Sequence, residues 1–343
     1  MSDPGNVLLS VTGLSKHFAS RRARRGNRSG TAAAVVKAVD DVSFDVFRGE
    51  SLALVGESGS GKSTTARLVL RLLDPTAGTV VLDGVDITRL TGGALRRRRR
   101  DMQLVFQDPL SSLSPRLTVA DIVAEPLLAH GIGSGRARRE RVREYLRLVG
   151  LQDDALDRYP HEFSGGQRQR IGIARALILE PQLVVCDEPV SALDVSVRSQ
   201  ILNLLTDLRG KLGLSLLFIA HDLAVVRQVC DRVAVMYRGR LVEVAETGAI
   251  FDRPMHPYTQ TLLSSIPLPN PSVQRDRKRV ALGRDNGSRP VAGGCRFAPR
   301  CAYGVGVTDE RRPVLAEIEP GHLVEDCACV TSGAARSGAT RPV

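Results

Sequence analysis

The chain has 343 residues, 43% of them apolar and 4% aromatic, and carries a formal charge of +11. That length can bury a full core and excludes a mini-protein held by cross-links alone. No apolar run approaches the roughly 18 residues that span a bilayer, and the start M-S-D-P-G lacks the basic-then-apolar pattern of a secretory leader, so a cytoplasmic setting is expected. Much of the positive excess lies in three clusters, Arg21–Arg28, Arg96–Arg100 and Arg136–Arg147. Such clusters suit nucleic acid, anionic headgroups or an acidic partner. Aromatic residues do not interleave with them as a base-stacking surface requires, so solvated loops and helix faces are the plainer reading and no nucleic acid is expected.

Along the chain, S-R-R-A-R-R-G-N-R-S-G-T at 20 to 31 predicts an extended surface loop. Short β-branched runs then alternate with amphipathic segments: a strand at Ser51–Val55, a helix at Lys62–Leu73, a strand at Leu183–Cys186, a helix at Leu193–Leu212 and a strand at Ser215–Ala220. The alternation predicts an α/β fold with a parallel sheet. Between Pro109 and Leu179 the pattern is almost entirely helical, clearest over Arg138–Val149, which predicts a helical insertion of about 108–179 carried on the sheet domain. Two ribbons, Val233–Tyr237 and Leu241–Val244, face each other across R-G-R. Past Pro267 the composition turns to Pro, Gly, Arg and Cys, which places a boundary near 268: a domain at 1–267 and an extension at 268–343.

G-E-S-G-S-G-K-S-T at 56 to 64 fits G-x-x-x-x-G-K-S directly after a strand and at the opening of a helix, the context of a P-loop NTPase. Gly56, Gly59 and Gly61 let backbone N–H groups close on a β-phosphate, with Glu57, Ser58, Ser60 and Thr64 completing the loop. Lys62 reaches the β and γ oxygens, and Ser63 offers its hydroxyl to Mg2+. Downstream, L-V-V-C-D-E-P ends a strand on two carboxylates at the sheet edge where ligands bind. Asp187 is read as holding Mg2+ through water, and Glu188 as the general base that polarises the attacking water. His221, just after the apolar strand S-L-L-F-I-A, is placed to hydrogen-bond the γ-phosphate. A second helix start, F-S-G-G-Q-R-Q-R at 163 to 170, has the composition of another anion site.

These motifs, with V-F-Q-D-P, D-E-P-V-S-A-L-D and I-A-H-D, follow the order and spacing of the nucleotide-binding subunits of ABC transporters over residues 5 to 265. The chain most resembles the oligopeptide and dipeptide importer branch, through F-Q-D-P-L-S-S-L-S-P-R, A-L-D-V-S and H-P-Y-T-Q-T-L-L-S-S-I-P. The resemblance implies an ABC-type core with an antiparallel β subdomain, and ATP hydrolysis that powers import of peptides or a related solute. It implies that Gln107 contacts Mg2+ and the attacking water, that Asp194 belongs to the loop crossing the dimer interface, and that Phe18 stacks on adenine. It further implies a head-to-tail dimer in which Ser164, Gly165, Gly166 and Gln167 of one subunit cover the γ-phosphate held by the other. The partners implied are a second ATPase subunit, identical or sister, two membrane permease subunits that dock on the helical insertion, and indirectly an extracytoplasmic solute-binding protein. The setting implied is the cytoplasmic face of the cell membrane. A soluble ATPase of the same family acting on nucleic acid or ribosomes is the alternative; such chains carry tandem motif sets or long coiled coils, and this one has neither.

Of six cysteines, Cys186 and Cys230 sit in apolar surroundings and read as small core residues. The tail resembles the cysteine-bearing extension of the peptide-importer branch, where some members bind an iron-sulfur cluster. Cys295, Cys301, Cys327 and Cys329 would satisfy either a [4Fe-4S] cluster or tetrahedral zinc, and a reduced, metal-free tail is the plain alternative. The family pattern has a further cysteine where this chain has Thr308, so Cys329 would have to replace it.

Overall fold

The computed structural model describes residues 6–19, 35–108, 112–265, 294–303 and 311–331. The basic loop expected at 20 to 31, the start of the helical insertion at Pro109 and the departure at Thr308 lie outside the described residues.

Two sheets stack around the first half of the chain. The smaller is antiparallel, in the order β2 (Val35–Phe47), β1 (Val7–Ala19), β4 (Ala77–Leu82), β5 (Val85–Asp86). The larger has a parallel centre of β9 (Arg232–Tyr237), β3 (Ser51–Val55), β8 (Ser215–Ala220), β7 (Leu183–Asp187) and β6 (Met102–Val105). Strand β3 shows how this sheet serves two cores. Its side chains alternate, so Leu52 and Leu54 pack toward the small sheet while Ala53 and Val55 join the helical side. All five of its residues are buried, which is why it reads as a continuous apolar run instead of an alternating one.

Helix α1 begins at Lys62 as expected but ends at Val69, short of Leu73. Arg71 takes a left-handed φ of 54°, its N–H bonds Leu68 O, and Leu72 N–H bonds Arg67 O. This is a Schellman closure with arginine where glycine is usual. The buried guanidinium supports it, with Nε donating to Ile87 O at 3.1 Å and Nη1 to Asp74 at 2.7 Å. No glycine marked the stop, so the apolar period ran on in the sequence.

After α2 (Gly92–Arg99), the helical insertion is built of α3 (Val119–Ala129), α4 (Gly135–Leu148) and α5 (Gly165–Leu177), joined by two 3-10 turns at Asp153–Asp157 and Pro160–Glu162. Helix α6 spans Val195–Leu212, with Asp194 at its N-cap position and Gly213 ending it. Helix α7 (Leu223–Val229) leads into β9, and β9 turns tightly into β10 (Arg240–Glu246). Both turn residues, Arg238 and Gly239, have positive φ, the requirement of a type I′ hairpin. Cys186 and Cys230 are both buried, as expected.

The chain then adds α8 (Thr247–Asp252) and α9 (Pro257–Ser264). The boundary expected near 268 marks a change of composition, yet the chain beyond it returns to the same sheet. Strands β11 (Leu315–Glu319) and β12 (His322–Glu325) form a hairpin whose second strand pairs antiparallel with β10, and the short α10 (Ala328–Thr331) follows. Phe297 of this segment is buried against Tyr237 and Tyr258, with ring centroids at 5.3 and 5.5 Å. Among the described residues no helix is long and apolar enough to cross a membrane.

Candidate nucleotide site

The loop between β3 and α1 can turn as tightly as it does because of glycine. Gly56 and Gly61 have φ of 150° and 113°, and a Cβ would stand 2.1 Å from Met236 O at the first and 2.4 Å from Ala38 O at the second. Lys62, 5% exposed, folds back so that Nζ donates to Gly56 O at 2.8 Å and Glu57 O at 3.0 Å. Burial lowers its pKa, against the opposing pull of Glu188, Asp187 and Glu57. These carbonyls occupy the donors that a phosphate would otherwise take.

From the first turn of α1, Ser63 Oγ donates to Asp187 Oδ1 at the end of β7 at 3.0 Å, across 124 positions of sequence. Burial raises the Asp187 carboxyl above its usual range, an effect that a bound cation would reverse. Glu188 leaves the strand in a left-handed conformation, φ 48°, with its N–H bonded to Ile219 O at 3.0 Å. Glu188 Oε2 thereby meets two groups from separate elements, His221 Nδ1 at 3.1 Å and Gln107 Nε2 at 3.1 Å. A carboxylate held this way can accept a proton from water while its neighbours fix its direction.

Ser58, Gly59, Gly61, Lys62, Ser63, Thr64, Gln107, Glu188 and His221 line one cleft of about 480 Å³, with Ala38 on its edge. The volume falls within the roughly 300–1,000 Å³ usual for small-ligand sites. Phe18 does not line this cleft; it is 40% exposed on β1 and pairs with Val36 of β2, the strand that carries Ala38. Lys16 lies over its ring at 5.4 Å.

Ser164, Gly165, Gly166, Gln167 and Asp194 do not line this cleft. Ser164 caps α5 in a reciprocal box: its Oγ accepts from Gln167 N at 3.3 Å while Gln167 Oε1 accepts from Ser164 N at 3.0 Å. Ser164 and Gln167 are exposed. The sequence motif is therefore a capped helix start with Ser164, Gly165 and Gln167 exposed, and it does not line its own subunit's cleft.

Residues that motif reading missed hold the loop from behind. Tyr258 Oη accepts from Glu57 N at 2.9 Å, and Arg300 grips the Glu57 carboxylate with both terminal nitrogens. Asp40 of β2 gathers Arg240 at 3.0 Å and Arg296. No spacing rule links these residues; the H-P-Y run containing Tyr258 was the available signal, and it pointed to a branch of the family without a role.

The cysteines of the tail come together. Cys301 and Cys329 lie 3.6 Å apart at sulfur, and Cys327 hydrogen-bonds both Cys295 and Cys329. His256, Cys295 and Cys327 offer ligand atoms within 4.8 Å of one another.

A strand, a phosphate loop, a helix and an acid pair at the end of the next strand but one define a P-loop ATPase cassette. The ABC transporter family model matches residues 39–191, and the model for the oligopeptide/dipeptide transporter C-terminal region matches 242–306. A putative peptide import ATP-binding protein of Brucella ovis is 50% identical over 316 residues, covering 92% of this chain and 96% of that protein. The oligopeptide transport ATP-binding protein OppF of Bacillus subtilis is 50% identical over 274 residues, covering 79% and 86%. Among solved structures, a dimeric ATP-binding cassette in a post-hydrolysis state with ADP and phosphate is 30% identical, with a TM-score of 0.61 over 70% of this chain and 99% of that one. The chain belongs to the ATP-binding subunits of ABC transporters, in the oligopeptide/dipeptide branch, and it is an ATPase.

Proposed function

We propose that this chain is the cytoplasmic motor of a peptide importer, docked peripherally on two permease subunits and paired with a second ATPase subunit. The observation that carries the catalytic part is the convergence of Gln107, His221 and Glu188 in the cleft that Lys62 and Ser63 also line, with Asp187 bonded to Ser63. Ser63 and Asp187 would hold Mg2+, with Gln107 at its edge; the ion supplies charge neutralisation of the phosphates. Lys62 gives up its carbonyl contacts to the β and γ oxygens, His221 donates to the γ-phosphate, and Glu188 accepts the proton of the attacking water. The glycines of the loop, with Glu57, Ser58, Ser60 and Thr64, line the triphosphate, and Phe18 stacks on adenine from the rim.

The exposed start of α5 supports a split site. Ser164, Gly165, Gly166 and Gln167 cover the partner subunit's γ-phosphate, and Asp194 at the start of α6 crosses the same interface. Loss of that phosphate removes the charge joining the halves, so hydrolysis opens the dimer and moves the permease.

The sulfur donors of the tail fit a soft metal. His256 does not complete the set: Nδ1 accepts from Tyr258 N at 3.1 Å, which leaves the proton on Nε2. We assign Cys295, Cys301, Cys327 and Cys329 to one centre, a [4Fe-4S] cluster or zinc, that cross-links the extension. Anaerobic purification with metal analysis tests it; neither metal in stoichiometric amount rejects the centre, and zinc alone rejects the cluster.

For the whole reading, the test is uptake of labelled di- and oligopeptides by cells expressing this chain with its permease and binding protein. Lys62→Ala in the chain should abolish uptake. Uptake at the parent rate, or a parent system that moves no peptide, refutes it.

A further inference from the structure

All the polar groups of Glu57 are held, and two of its partners, Tyr258 and Arg300, come from far along the chain. Its carbonyl accepts from Lys62 at 3.0 Å, its N–H donates to Tyr258 Oη at 2.9 Å, and its carboxylate takes Arg300 Nη1 and Nη2 at 3.0 and 3.1 Å. Tyr258 is fully buried, its ring tilted against that of Tyr237 with centroids 4.5 Å apart, and Arg300 lies 5.9 Å from the centre of the Phe297 ring. A second strut meets the other end of the loop: Arg296 donates to Arg238 O, while Gly239 N donates to Ser60 O at 2.7 Å. The segment around Phe297 thus touches both ends of the phosphate loop, one directly and one through the hairpin turn.

The charge of Glu57 matters because of where the residue stands. Its carbonyl accepts from Lys62 Nζ at 3.0 Å, so a triphosphate bound to Lys62 would lie beside a residue of like charge. Arg300 cancels that charge with a two-pronged ion pair, the geometry in which guanidinium and carboxylate match best.

We propose that Arg300 and Tyr258 are positioning residues for nucleotide binding, Arg300 by neutralising Glu57 and Tyr258 by fixing its amide, so that affinity for ATP depends on the C-terminal segment being seated. The proposal rests on the phosphate loop being the nucleotide site. It goes beyond that assignment, because it places a determinant of affinity on residues outside the cleft.

The test is calorimetric titration of MgATP into the full-length chain and into Arg300→Met, Arg300→Lys, Glu57→Gln, the double variant Glu57→Gln/Arg300→Met, and Lys62→Ala. Arg300→Met should weaken binding about five- to tenfold, the range left to a half-exposed but bidentate pair after solvent screening. The double variant should return to within about twofold of the parent, because the uncancelled charge is gone, and Arg300→Lys should fall between. Arg300→Met at parent affinity overturns the proposal, as does a double variant no tighter than Arg300→Met, which would make Arg300 a packing residue. Should Arg300→Met fail to fold, judged by its thermal transition, Arg300→Lys decides: it must bind MgATP more weakly than the parent, and parent affinity overturns the proposal. Lys62→Ala at parent affinity would instead remove the site assignment, and the proposal with it.

Discussion

Replacing Glu188 with glutamine should abolish turnover while leaving nucleotide binding intact. Both contacts to the side chain, from Gln107 Nε2 and His221 Nδ1, fall on Oε2 at 3.1 Å. A glutamine whose amide oxygen takes that place can keep both partners, with its NH2 where Oε1 stood. The fold and the cleft therefore change little, and one negative charge beside the triphosphate disappears, so MgATP should bind as tightly as before or more tightly. What is lost is the basic oxygen. A positioned general base contributes about 100- to 10,000-fold, or roughly 3–5 kcal/mol of barrier, so the hydrolysis rate should fall by that factor. Phosphate release under single-turnover conditions measures the rate, and calorimetry measures affinity in the same preparation. Turnover within about threefold of the parent would show that Glu188 is not the base, since no general-base contribution is that small. Affinity weakened tenfold or more, about 1.4 kcal/mol, would show that the carboxylate holds the site together, and the geometric argument would fail.

Ser164→Arg should leave ATP binding to the monomer unchanged and block ATP-driven dimerisation in a Glu188→Gln background, seen by size-exclusion chromatography; loss of monomer binding would place Ser164 in its own subunit's site. Phe297→Ala removes a ring buried among Tyr237, Tyr258 and His256 and should cost about 3–5 kcal/mol of stability in urea unfolding. Burial alone would raise the Asp40 carboxyl, but Arg296 and Arg240 outweigh it and hold it below the ordinary 3.8. Because the native value is depressed, its stabilisation is present above the unfolded value and is lost as pH falls. Asp40→Asn should therefore lower the urea midpoint at neutral pH, with the gap to the parent closing below about pH 4; a gap independent of pH would deny the charge its role.

The parts of the site that were legible in the sequence are those whose chemistry needs fixed local spacing. A loop of glycines before Lys62 and Ser63 must be contiguous to wrap a phosphate, and Asp187 and Glu188 must end a strand. The strands at Ser51–Val55 and Ser215–Ala220 followed from period, but the helix after Lys62 stops earlier than period put it, at Arg71, whose buried guanidinium supports a left-handed stop that glycine would normally signal. Contacts between distant residues left no such trace. Arg300 meets Glu57 across 243 positions and Arg296 meets Asp40 across 256, and nothing in the intervening composition sets those distances. The return of the chain to the sheet was hidden for the same reason: β12 is short, and its pairing with β10 rests on two registered residue pairs.

That pairing has a consequence for the shape of a shortened chain. Strand β10 is an interior strand because β12 occupies its outer side, and the hairpin moves the free margin of the sheet out to β11, whose residues are half-buried or exposed and include three glutamate or alanine positions. A protein cut at the change of composition near 268 would bare the β10 backbone instead, at Glu243 and Val244, the two residues that pair with β12. An unpaired sheet margin is a template for another chain. The extension in this sense keeps that margin closed within its own chain.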